Sequence, residues 1–181
     1  GSELNQALAQ LAAEERRRRQ LEQAEREKLE RYRSEFFGRL REVLGETEGV
    51  RIEGDRFVFS SEVLFELGSA DLSADGEAEI AKIAGILRDV AQDIPPEIDW
   101  VIRVDGHTDD IPLKAGAAFA DNWELSQARS LSVVRYMIDF LGIPPERLAA
   151  NGFGQYQPVN PADTPQARAQ NRRIELKLTE R

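Results

Sequence analysis

Asp109 and Arg129 are the two side chains in this sequence best placed for chemistry. Asp109 sits in the frame Asp105-Gly106-His107-Thr108-Asp109-Asp110, just past an apolar run. Arg129 closes the block Asn122-Trp123-Glu124-Leu125-Ser126-Gln127-Ala128-Arg129. A carboxylate and a guanidinium held apart can grip a small zwitterion, the acid taking its ammonium and the base its carboxylate. Guanidinium suits the second task because its donors form a rigid planar fork. Thr108, Asn122 and Ser126 can add neutral hydrogen bonds, or a helix N-terminus can offer N–H groups to an anion. The same pair also reads as an ordinary salt bridge, which by residue type alone is the commoner outcome and a weak one.

This chemistry points to binding rather than bond breaking. His107 is the only histidine and there is no cysteine. No nucleophile elbow accompanies the serines, and a lone histidine at a strand end is more often structural. Asp109 and Asp110 are adjacent, so on extended backbone they point opposite ways and make a poor acid pair. His107, Asp105 and Asp109 lack the spacing of a metal site. The sequence therefore predicts no enzyme, no catalytic residue, no metal and no cofactor.

The elements that must hold the pair follow from periodicity. Residues 3–44 contain no proline and one glycine, Gly38, and are rich in Ala, Glu, Arg, Leu and Gln, all good helix formers. A helix of ~40 residues spans ~60 Å. Leu4, Leu8 and Leu11 make one apolar block, and Leu29, Tyr32, Phe36, Leu40 and Val43 a second, with a charged section between. This predicts a coiled-coil-like helical linker that forms a parallel homodimer; a single helix held by Glu/Arg pairs is the alternative. Gly45 and Gly49 end it. Val50–Glu53 and Arg56–Phe59 flank Gly54-Asp55, a two-residue hairpin turn. Ser73 or Asp71 caps a helix from about Ala74 to Ala91, terminated before Pro95-Pro96. Ile98 to Val104 reads as a strand with Trp100, Ile102 and Val104 on one face. Asp121 or Asn122 caps a helix to about Leu141, burying Leu125, Leu131, Val134, Met137 and Ile138, and stopped by Gly142. A strand begins at Leu148 and a last one covers Arg173 to Leu178, with a loop and a single helical turn between them. The class is α+β: helices on a mixed sheet, preceded by a long helix.

Composition bounds the partners. The 181 residues suffice for one domain and an appendage, and 41% are hydrophobic. The 24 Lys+Arg against 33 Asp+Glu give −9, which argues against nucleic acid as a partner. The run Arg16-Arg17-Arg18-Arg19 has acidic neighbours and reads as a solvated helix face. No apolar stretch approaches the ~20 residues of a membrane helix. Gly1-Ser2 reads as an expression scar on an excised fragment, with any anchor or export signal upstream.

Residues ~50–181 resemble the OmpA C-terminal-like domain, the peptidoglycan-binding module also found in Pal and in the flagellar stator protein MotB. The resemblance is carried by Leu64-Phe65, Gly68-Ser69-Ala70-Asp71-Leu72, Gly106-His107-Thr108-Asp109 and Asn122 to Arg129. Gly152-Phe153-Gly154-Gln155, Pro158 and Asn171-Arg172-Arg173-Ile174-Glu175 complete it. The Asn-Trp-Glu-Leu-Ser block is most similar to the MotB branch. Ile111 to Phe119 departs from the family pattern in being rich in Ala and Gly.

The resemblance implies a βαβαββ-type sandwich of helices on a mixed four-stranded sheet over residues 49–181, after a linker over 3–48. It implies a ligand, the diaminopimelate of the peptidoglycan stem peptide, gripped by Asp109 and Arg129. Thr108, Asn122 and Leu125 match flanking positions, and Arg173 matches the terminal Asn-Arg-Arg motif near the pocket. It further implies a periplasmic domain that fixes an inner-membrane protein, of stator type with a channel partner, to the cell wall. The alternative is a coiled-coil scaffold whose globular domain binds a protein.

Overall fold

The computed structural model of the chain describes residues 1–44 and 49–181. Helix α1 covers Ser2–Leu44. Strands β1 (Val50–Glu53) and β2 (Arg56–Ser60) form the hairpin, turned at Gly54 with φ +61°. A single turn, α2 (Ser61–Leu64), leads to α3 (Ala74–Asp93) and β3 (Trp100–His107). Then come α4 (Asn122–Leu141), a 3-10 turn at Pro145–Arg147, β4 (Leu148–Gly152), α5 (Pro165–Asn171) and β5 (Arg173–Glu180).

The helix ends follow local chemistry. Ser73 accepts a hydrogen bond from the N–H of Gly76 at the start of α3, and Asp121 accepts one from Glu124 at the start of α4. Each satisfies a donor that has no partner within its helix. Gly142 takes the left-handed conformation and closes α4. Gly45, expected to end α1, lies outside the described residues, as does the side chain of Val43.

The sheet is mixed, but it has five strands where the family resemblance implies four. The hairpin supplies two of them. The order is β1-β2-β5-β3-β4, with β3 and β4 parallel and every other pair antiparallel. One face carries Phe57, Phe59, Trp100, Ile102, Val104, Ile174, Leu176 and Leu178. These share a single core with Ile80, Ile83 and Leu87 of α3 and Val133, Val134 and Met137 of α4. Leu131 and Ile138, expected in that face of α4, are only half-buried.

The second apolar block of α1 belongs to the same core. Leu29, Phe36, Phe37 and Leu40 are all buried there. Phe37 stacks on Phe57 with ring centroids 6.5 Å apart. Arg33 Nε donates to the Leu178 carbonyl at 2.9 Å, and Arg39 pairs with Asp89 of α3 at 3.0 Å. The division expected at residue 48 therefore cuts through this packing. The first block remains in solvent, as does Leu21 of the charged section: Leu4, Leu8, Leu11 and Leu21 are 54–61% exposed. Around them, Glu15 pairs with Arg18 and Arg19, and Glu22 with Arg26, at 3.8–3.9 Å. That agrees with a solvated face for the arginine run. Among the described residues no helix is long and apolar enough to cross a membrane.

Candidate functional site

Two glycines set the position of α4. Gly106 and Gly152 are register partners on β3 and β4. A Cβ on Gly106 would lie 2.3 Å from the Ser126 carbonyl oxygen, and one on Gly152 2.5 Å from the Gln127 nitrogen. The helix thus rests directly on the sheet backbone. Ser130 Oγ donates to the Asn151 carbonyl and Gly154 N–H donates to Ser126 Oγ. Arg129 lies between these anchored serines.

Arg129 is 7% exposed. Its Nε donates to the Ser69 carbonyl at 2.9 Å, and its guanidinium stands 5.2 Å from the centre of the Phe65 ring. Among the described residues, its two terminal nitrogens have no protein acceptor. Burial lowers its pKa, Arg172 lowers it further, and Asp109 opposes both; an arginine so placed stays charged. The loop that shelves it is tied by the Phe65–Leu72 bridge and the Ser73 N–H to Leu64 hydrogen bond.

Asp109 makes no ion pair with Arg129. Its Oδ2 accepts from Arg172 Nη1 at 2.8 Å and its Oδ1 from the Ile111 N–H at 3.0 Å. Arg172 also reaches Glu62. Arg129 and Arg172 line one open groove of about 640 Å3 with Glu62, Phe65, Ser73 and Asp75. Asp109 joins that groove through Arg172. The arrangement offers two guanidiniums, one with unused donors, beside an aromatic wall and the carboxylates of Glu62, Asp75 and Asp109. It can receive a carboxylate and hold an ammonium.

The other expected residues fall into different roles. Thr108 is buried; its N–H donates to Gly154 and its Oγ1 to the Asp109 carbonyl. Asn122 Nδ2 donates to Ile111 O at 3.1 Å and Gln155 Oε1 at 3.2 Å, and approaches Asp109 O at 3.4 Å. Its Oδ1 is buried without a partner. Both residues hold the Asp109 loop. Leu125 is buried on α4. Arg173, expected near the pocket, is instead spent on the opposite sheet face, on Glu175, Asn171 O and Gln157 O. Side chains alternate along a strand, so the arginine presented to the groove is its neighbour Arg172. Sequence reasoning missed Arg172, Phe65 and Glu62. The Asn-Arg-Arg motif held the signal, but choosing between its arginines needs the strand parity of β5.

That opposite face carries a buried charge cluster. Glu175 Oε1 accepts from Arg56 at 2.7 Å and Oε2 from Arg173 at 3.1 Å. His107 Nε2 stands 3.3 Å from Oε2 without hydrogen-bond alignment, and its ring stacks on Phe153. Burial alone would raise the Glu175 pKa. His107, Arg56 and Arg173 reverse that and hold it at about 2 against an ordinary 4.5. A carboxyl depressed by folding adds stability that is complete above the unfolded pKa and vanishes as pH falls through the folded one. Glu175 therefore contributes stability that is complete at neutral pH and is lost as pH falls from ~4.5 through ~2. We expect Glu175→Gln to flatten this acid limb in chemical denaturation run across that window. An unchanged limb would refute the assignment.

An α+β sheet carrying this groove at the junction of α2, α3, α4 and the end of α5 defines the class of protein. The OmpA family profile matches residues 64–172, and the chain belongs to that family. A curated relative, Motility protein B of Bacillus subtilis, is 28% identical over 129 residues, 71% of this chain and 46% of its own length. The chain thus spans about half of such relatives. Among solved structures, a MotB-like protein from Desulfovibrio vulgaris superposes with a TM-score of 0.74 at 30% identity, covering 87% of this chain and 96% of the other. The cell wall anchor of the type VI secretion system (T6SS) from Pseudomonas aeruginosa gives 0.62 at 26%, covering 79% and 96%.

Proposed function

We propose that this domain binds peptidoglycan without covalent chemistry, taking the diaminopimelate of the stem peptide. The observation that carries this is Arg129, a 7% exposed arginine that lines the groove and whose terminal donors have no protein acceptor among the described residues. Open to the groove, these donors are free for a ligand carboxylate, which would engage both through the planar fork. Asp109, with Glu62, supplies the negative partner for the ammonium. Arg172, held by both acids, stands beside Arg129 as a second carboxylate donor. Family membership and the similarity to a cell wall anchor support the same reading.

At the level of the whole protein, the domain fixes an inner-membrane protein, of stator type, to the wall from the periplasm. The exposed Leu4, Leu8 and Leu11 of α1 supply the seam for a homodimer. Co-sedimentation with purified sacculi tests the site. Arg129→Ala should weaken binding by about 10- to 100-fold, the value of losing charge-assisted hydrogen bonds, and Asp109→Ala should weaken it comparably. Circular dichroism confirms that each variant is folded. Variants that co-sediment as the parent does would sink the proposal.

A further inference from the structure

Trp123 and Tyr156 form an exposed aromatic pair that the clamp does not use. Their ring centroids are 5.1 Å apart and their planes are inclined by 29°. Trp123 is 50% exposed and Tyr156 59%, so each ring still presents surface to water. Among the described residues, the Trp123 indole N–H and the Tyr156 hydroxyl have no hydrogen-bond partner. Large aromatics left in water with unused polar tips are typical of contact surfaces.

The pair is built into the same frame as Asp109. Trp123 follows Asn122 and Tyr156 follows Gln155, and those two are joined at 3.2 Å. Between them sits Gly154, with φ +61°. A Cβ there would lie 3.4 Å from Trp123 Cδ2 and 3.5 Å from Tyr156 Cδ2. Gly154 also accepts the Thr108 N–H and donates to Ser126. The rings are thus fixed to the backbone that positions Asp109 and α4.

We propose that Trp123 and Tyr156 are a stacking platform for a pyranose ring of the glycan strand that carries the stem peptide. The inference rests on the stem-peptide reading above. A pyranose has a face of polarised C–H groups, and these pack on the negative face of an aromatic ring. Its hydroxyls and acetamido groups can accept from the indole N–H and the phenol.

Calorimetric titration separates the two subsites. The probes are a diaminopimelate-containing stem peptide and the same peptide on its N-acetylglucosamine–N-acetylmuramic acid disaccharide. The parent chain should bind the second about tenfold more tightly, the size of a favourable aromatic contact. Trp123→Ala and Tyr156→Ala should each reduce that preference, and the double variant should abolish it, with peptide affinity kept within about twofold. No preference in the parent, or a preference that survives the double variant, overturns the platform and leaves the clamp intact. Equal loss for both probes also overturns it, since the rings would then only support the fold. So does a change in sedimentation mass, which would make the pair a contact between copies. Failure of the parent to bind either probe overturns the stem-peptide reading itself.

Discussion

Gly106→Ala should lower stability by about 3 kcal/mol, the upper range for overpacking a tight interior. For a chain of this size that is a drop of about 6–12 °C in melting temperature. The added methyl would stand 2.3 Å from the Ser126 carbonyl oxygen and 2.7 Å from Ser130 Oγ. The first is helix backbone and does not rotate aside, so α4 must lift off β3. The serines that would move, Ser126 and Ser130, hold Gly154 and Asn151. Gly152→Ala meets the Gln127 nitrogen at 2.5 Å and should behave alike. Gly85 is the internal control. It lies inside α3 with nothing nearer its Cβ position than Arg88 Nη2 at 3.9 Å, so Gly85→Ala should stabilise by about 1 kcal/mol through helix propensity. Thermal melts by circular dichroism read both signs. A Gly106→Ala protein that melts with the parent would show that α4 is not seated on the sheet.

The same contact shows what was legible in the residues alone. Ser73 or Asp71, Asp121 or Asn122, and Gly142 declared helix ends because caps and left-handed stops are local chemistry, and the structure uses Ser73, Asp121 and Gly142. Gly54-Asp55 declared a turn for the same reason. Gly106 and Gly152 were visible only as pieces of family motifs. Their purpose depends on which helix approaches which strand, and that is tertiary information. Asp109 and Arg129 were legible as a candidate pair from charge type and placement, yet their partners were not. The partner of Asp109 arrives from Arg172, 63 residues on, and the shelf for Arg129 from Phe65 and Ser69, about 60 residues back. The apolar stripe of α1 was legible as a buried face. Whether a second helix or this chain's own sheet covers it is a matter of packing, and for Leu29 to Leu40 the cover is the sheet and α3.

Deleting α1 should therefore give two different results depending on where the cut falls. Removal of residues 2–25 takes away only side chains in solvent, so the melting temperature should stay within about 2 °C of the parent, a surface-scale change. Removal through residue 44 strips Leu29, Phe36, Phe37 and Leu40 from the core. They are 0–6% exposed. Core Leu and Phe truncations cost about 2–5 kcal/mol each, so four together reach about 10 kcal/mol. That equals the whole stability of an ordinary domain, about 5–15 kcal/mol. The longer deletion also uncovers Phe57, whose ring stacks on Phe37. We expect it to lose its cooperative melt and its tertiary near-ultraviolet signal, while the shorter one keeps both. Sedimentation of the shorter deletion reads the other role of the helix. If Leu4, Leu8 and Leu11 form the dimer seam, the parent should sediment at twice the mass of its chain and the deletion at that of one chain. The two readouts are independent because the first apolar block touches solvent and the second touches the core. A domain starting at residue 45 that melts like the parent would mean that the second half of α1 leans on the fold without supporting it.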